Sequence, residues 1–101
     1  MHKNLCRYLR DVEFEYDPDK SLRNSRKHGI DFEDAQKPWD DSNLVILPSR
    51  FADEERALAI GQVEDICRTA VFTERSGRMR LISVRRSRQE ERTMYERNKE
   101  G

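Results

Sequence analysis

Residues 56–86 read R-A-L-A-I-G-Q-V-E-D-I-C-R-T-A-V-F-T-E-R-S-G-R-M-R-L-I-S-V-R-R, and the fold follows from how this stretch pairs with itself. β-Branched and aromatic residues recur between two polar interruptions, Glu64-Asp65 and Ser76-Gly77. The pattern predicts strands at roughly 56–62, 66–74 and 79–85. A two-residue loop at Ser76-Gly77, or a four-residue loop on the same centre, pairs Arg75 with Arg78, Thr73 with Arg80 and Val71 with Ile82. Paired residues share a face, and faces alternate along a strand. One face then carries Arg75, Thr73, Arg78 and Arg80 with Val71 and Ile82. The other carries Ala70, Phe72, Met79 and Leu81. The apolar face is expected to meet helices, and the mixed face to stay open. If Glu64-Asp65 is also a two-residue turn, Arg56 pairs with Thr73, and Arg56, Thr73 and Arg80 cross three neighbouring strands with Arg75 nearby. Cations that close repel unless a carboxylate or an anion lies between them. Glu54 or Glu55 is a candidate carboxylate, and a phosphate is a candidate anion.

Outside this meander, Leu44 to Leu47 (L-V-I-L) reads as a short buried strand, and Arg50 to Glu54 as a polar connection. Val12 to Tyr16 (V-E-F-E-Y) alternates strictly and reads as a strand. Asp17-Pro18 opens a helix, Asp as N-cap and Pro at its first position; it runs to about His28 and stops at Gly29. Leu22 is its only apolar anchor. Asp31 and Asp34 approximate a capping box for a second helix that buries Phe32, Ala35 and Trp39 and is limited by Pro38. Ser87-x-x-Glu90 is a capping box for a last, highly charged helix whose apolar content is Met94 and Tyr95. The expected architecture is an α+β domain: a small antiparallel sheet with two N-terminal helices and a C-terminal helix on one face. Residues 1–11 read as an N-terminal extension, 12–97 as the domain and 98–101 as a C-terminal tail.

The chain is 101 residues long, enough for one domain. Only 35% of residues are apolar against 40% charged, so the core is thin and stability is expected to lean on a partner. Disordered chains combine low hydrophobicity with a large net charge, and the net charge here is zero. That balance hides an asymmetry: residues 31–65 carry −7 and residues 75–97 carry +5. All eight bases of 75–97 are Arg. Arg grips phosphate in bidentate fashion, which Lys cannot do. A solvated surface whose halves attract each other is the plainer explanation of the charge. No apolar run is long enough to span a membrane, Met1 to Asp11 lack the apolar stretch expected of a secretory signal, and two cysteines are too few for a disulfide scaffold. These features point to a reducing, cytoplasmic setting. Cys6, Cys67, His2 and His28 lack zinc-site spacing, and there is no phosphate-binding glycine loop or nucleophile elbow. No metal or cofactor is expected. Cys67 reads as a small buried hydrophobe, Trp39 as core or interface and Tyr95 as packing.

Several segments together resemble the BrnT family of type II toxin–antitoxin toxins. They are F-E-Y-D-P-D-K (Phe14 to Lys20), N-x-x-K-H-G-I-D-F-E-D-A (Asn24 to Ala35), E-R-x-L-x-I-G (Glu55 to Gly61), and R-x-R-L-I-S-V-R-R (Arg78 to Arg86) followed by E-E-R-x-x-Y (Glu90 to Tyr95). The resemblance implies a RelE-like ribonuclease fold and growth arrest by RNA cleavage. It also implies neutralisation by a BrnA-type antitoxin in a 2:2 heterotetramer, with operator DNA reached only through the antitoxin. Metal-free RNA cleavage needs a base for the 2′-hydroxyl, cations for the crowded phosphorane and an acid for the leaving 5′-oxygen. Arg56, Arg75, Arg80 and Arg85 are the candidate phosphate contacts, with Thr73 and Lys27 as further substrate contacts. His28 is a candidate base or acid, and alternatively an imidazole that caps carbonyls at a helix end. Glu55 is an alternative base, or simply an ion-pair partner of Arg56. Two rivals remain: a non-catalytic module binding RNA or protein, and a co-repressor whose Arg-rich helix touches DNA.

Overall fold

The computed structural model describes residues 13–51 and 54–101. The expected extension at 1–11 and the first residue of the expected N-terminal strand, Val12, lie outside them. In chain order the elements are β1 (Glu13–Glu15), α1 (Pro18–His28), a 3₁₀ helix (Asp34–Asp40), β2 (Val45–Phe51), β3 (Glu54–Val63), β4 (Ile66–Arg75), β5 (Arg78–Arg86) and α2 (Gln89–Glu100). The strands form one sheet in the order β1-β5-β4-β3-β2. Both expected turns form. Val63 pairs with Ile66 across Glu64-Asp65, and Arg75 with Arg78 across Ser76-Gly77. Ser76 and Gly77 both have positive φ, 54° and 81°, the twist-matched geometry of a tight hairpin.

The sheet departs from expectation in three places. It is mixed rather than antiparallel, because β1 runs parallel to β5 and sets Glu13, Phe14 and Glu15 beside Arg78, Met79 and Arg80. β2 is longer than the L-V-I-L core and continues through Pro48 to Phe51. It is an edge strand, where a missing N–H costs no ladder bond. Finally, Val71 pairs with Ser83 and not Ile82. Leu81 still faces Phe72, so Ile82 is the extra residue of a β-bulge. The core positions Met79, Leu81 and Val84 break the period of two for the same reason.

The apolar face is covered as expected. Ala59, Ala70, Phe72, Met79, Leu81 and Val84 pack against Ile30, Phe32, Ala35 and Trp39. Trp39 is the hub: its ring meets Phe14 at 4.9 Å and Phe72 at 5.0 Å between centroids, both edge to face. The second helix is a 3₁₀ helix, not an α-helix, with Pro38 inside it. The Asp31 carboxylate does accept the Asp34 N–H, at 2.9 Å. This tight coil sits against Gly61, where a Cβ would come within 3.0 Å of Pro38 Cβ.

α1 begins and ends as read, with the Asp17 carboxylate accepting the Asp19 N–H at 2.9 Å and Gly29 at φ 77°. Its anchor is not Leu22, which is 52% exposed. The buried Asn24 holds the helix instead. Its amide donates to the carbonyls of Ile30 (2.8 Å) and Val84 (2.9 Å) and accepts the Val84 N–H (3.2 Å). β1 covers β5 only as far as Arg80, so this side-chain amide satisfies backbone groups that a longer strand would have paired.

α2 overturns the expectation that all helices share one face. Alternation places Leu58, Ile60, Thr69, Val71 and Arg85 on the side opposite Ala59, Ala70 and Val84. Glu91 of α2 bonds to Thr69 and Arg85 there. Ile60 and Tyr95 are fully buried outside the main core cluster. The N-cap is Arg88 rather than Ser87, and Glu91 rather than Glu90 closes the first turn by accepting the Arg88 N–H at 2.8 Å. Ser87 is instead buried against β4, where its hydroxyl makes a 2.8 Å hydrogen bond with Thr69. No helix among the described residues is long and apolar enough to cross a membrane.

Candidate nucleic-acid interface

α2 covers one end of its face, near Thr69 and Arg85. The end near the Ser76-Gly77 turn holds the expected row. Thr73 pairs with Arg80, and the Ala57–Phe72 pairing puts Arg56 next to Thr73 on the same face. The Thr73 hydroxyl donates to the Glu55 carbonyl at 3.0 Å, tying β4 to β3. Arg75 and Arg78 are direct partners at the turn and are exposed. Arg56, Thr73 and Arg80 therefore come together, flanked by Arg75.

Carboxylates accompany the row. Glu54 accepts from Arg56 Nη2 at 3.0 Å. Parallel β1 brings Glu15 to 3.4 Å from Arg80 and Glu13 to 3.2 Å from Arg78. Glu54 makes the described ion pair with Arg56. Glu55 alternates to the other face and lines a cleft of about 560 Å³ together with Ile46, Phe72 and Met79. Arg56 and Thr73 also border this cleft, but Phe72 and Met79 belong to the core-side face, so the cleft opens on the side of the sheet away from the row. Glu13 and Glu15 were not legible as site residues. Their alternation with Phe14 was visible, but nothing local announces which strand β1 joins.

The remaining candidates lie elsewhere. Arg85 is on the same face but under α2, where it forks onto Glu91 at 2.8 and 3.0 Å. Burial raises the pKa of the Glu91 carboxyl. The Arg85 fork, the Arg88 N–H and the Thr69 hydroxyl outweigh that and take it down to about 2. His28 and Lys27 end α1 on the opposite side of the sheet, and the His28 carbonyl accepts from Arg68 Nη1 at 3.2 Å. Tyr95 is a clamp. Its hydroxyl donates to Asp41 at 2.6 Å, and burial with that carboxylate pushes its pKa up. Trp39 is core, 1% exposed. Cys67 is half-buried, and burial raises its thiol pKa. No cluster of His, Cys, Asp and Glu among the described residues is arranged to hold a metal ion.

A comparison with curated proteins found no match. The family model described as the ribonuclease toxin BrnT of type II toxin–antitoxin systems matches residues 16–91. That span runs from the end of β1 to the first turn of α2 and takes in α1, the 3₁₀ helix and β2 to β5. By this match over most of its length, the chain belongs to the BrnT family of ribonuclease toxins.

Proposed function

We propose that this protein is a metal-independent endoribonuclease that cleaves cytoplasmic RNA on the open end of its outer sheet face. It arrests growth until a BrnA-type antitoxin binds it in a 2:2 complex. The observation that carries the reading is the row of Arg56, Thr73 and Arg80 across three adjacent strands, in contact with Glu54 and Glu15. Guanidiniums beside carboxylates are the parts a metal-free cleavage requires. A carboxylate, Glu54 or Glu15, takes the 2′-hydroxyl proton. The freed oxygen attacks the adjacent phosphorus, Arg56 and Arg80 stabilise the phosphorane charge, and the P–O5′ bond breaks as the 5′-oxygen gains a proton. The products are a 2′,3′-cyclic phosphate and a 5′-hydroxyl. Each ion pair is partly exposed, so an incoming phosphate can displace its glutamate at small cost.

Arg56→Ala and Arg80→Ala are each expected to lower kcat about 10²–10³-fold, the loss typical of one oxyanion donor, with circular dichroism and melting unchanged. Chelator is expected to leave the rate alone. Full cleavage by both folded variants rejects the site. In the rival reading the chain is a binding module acting as co-repressor. It would bind RNA without turnover, or shift operator DNA by itself. DNA contact that requires the antitoxin counts against it.

A further inference from the structure

Arg68 and Arg86 are direct cross-strand partners on the face that carries α1 and the 3₁₀ helix, at the end of the sheet away from the Ser76-Gly77 turn. The bulge at Ile82 creates this pair; an unbroken register would have set Arg85 opposite Arg68. Like charges placed directly opposite repel. Elsewhere on the sheet at least one member of each such arginine group meets a carboxylate: Glu54 on Arg56, Glu13 on Arg78 (whose partner Arg75 has none described), Glu15 on Arg80 and Glu91 on Arg85. Neither Arg68 nor Arg86 has a carboxylate partner among the described residues. Arg68 Nη1 caps the His28 carbonyl, which is an adequate account of that one N–H. It leaves unexplained Arg68 Nε, which is buried with no acceptor, and the exposed Arg86. The last turn of α1, which abuts Arg68 through that bond, adds Lys27 and His28. On its other side Arg86 lines, with Arg92, Ser87, Cys67 and the acidic Asp65, a cleft of about 360 Å³.

We infer that the Arg68–Arg86 pair is a second phosphate site, which grips a backbone phosphodiester of single-stranded RNA away from the cleavage face. The solvent-facing guanidinium N–H groups of the pair then receive the anionic acceptor that no carboxylate supplies; Arg68 Nε, buried from solvent, is reached only if that side chain shifts. This rests on the reading of the chain as an RNA-binding protein, not on where or whether it cleaves.

The test is binding of a 2′-O-methyl oligoribonucleotide, which cannot be cleaved, to the full chain by fluorescence anisotropy across a salt series. Arg86→Gln and Arg68→Gln are each expected to raise Kd about tenfold and to reduce the slope of log K against log salt by about 0.7. Arg97→Gln, an exposed site on α2 that loses the same charge, is expected to change neither. Arg68→Gln removes a helix cap and can unfold the chain, so Arg86→Gln is the deciding variant. A folded Arg86→Gln protein with wild-type affinity and slope overturns the inference. So does an equal loss in Arg97→Gln, or no binding by the wild type. Cleavage that depends on Arg80 with binding indifferent to Arg86 sinks this site alone. Binding that depends on Arg86 without any cleavage sinks the cleavage reading alone.

Discussion

Arg80 and Arg85 lie five residues apart on β5 and, because of the bulge between them, on the same face of the sheet, yet they do different work. Arg80 meets Glu15 at 3.4 Å with side chains 35% and 27% exposed. Arg85 meets Glu91 at 2.8 Å with side chains 20% and 9% exposed, and makes a second bond at 3.0 Å. Water reaches the first pair and weakens it; α2 shuts water from the second, and Glu91 is further held by Thr69 and Arg88. An exposed pair contributes little to stability and is readily exchanged for another anion. A buried, hydrogen-bonded pair is costly to break, since the survivor is left charged and dry. Burial and partner, not residue type, separate an exchangeable surface ion pair from a structural bolt.

The most severe way to probe this difference is Glu91→Ala. It strips Arg85, Thr69 and the Arg88 N–H of their acceptor, with an expected loss of about 3–5 kcal/mol and a fall in Tm on the order of 20 °C. The effect should depend on pH. The folded pKa of Glu91 is about 2, against an ordinary 4.5. Its contribution is therefore full above about pH 4.5 and is lost as pH falls toward 2. Urea titrations of wild type and Glu91→Ala should converge over that range; a constant gap would mean the carboxylate's charge is irrelevant. Tyr95→Phe, which leaves Asp41 without its 2.6 Å donor, is expected to cost about 1–2 kcal/mol in the same assay. Asp41 keeps the N–H groups of Gln62 and Asn43, which limits the damage. The smallest change is expected at the open end, where Glu15→Gln should move stability by about 1 kcal/mol or less. A loss as large as that of Glu91→Ala would erase the distinction between the two ends.

Much of the domain was readable without coordinates. Asp17-Pro18 and Gly29 bounded α1, the two hairpin turns set most of the β3–β4–β5 register, and alternation assigned Ala70, Phe72, Met79 and Leu81 to the core. The juxtaposition of Arg56, Thr73 and Arg80 followed from the same arithmetic. The misreadings share a cause. The expectation that Leu22 anchors α1 assumed apolar contact, where Asn24 supplies hydrogen bonds to Val84 across sixty residues. The Ser87 cap assumed that a hydroxyl near a helix start serves that helix, but Thr69 takes it.

What the amino-acid order determined by itself were the local matters: turn geometry, strand periodicity, helix limits, and hence which side chains share a face within a hairpin. These depend on residues a few positions apart, whose interactions are set by backbone sterics. The tertiary structure alone decided that β1 joins β5 in parallel and sets Glu15 beside Arg80. It decided that α2 crosses to the second face and seals Arg85, and that the bulge at Ile82 delivers Arg86 rather than Arg85 to Arg68. Each of those outcomes depends on burying apolar surface and satisfying backbone groups across distant segments, so its free energy belongs to the assembled sheet and not to any stretch of the chain.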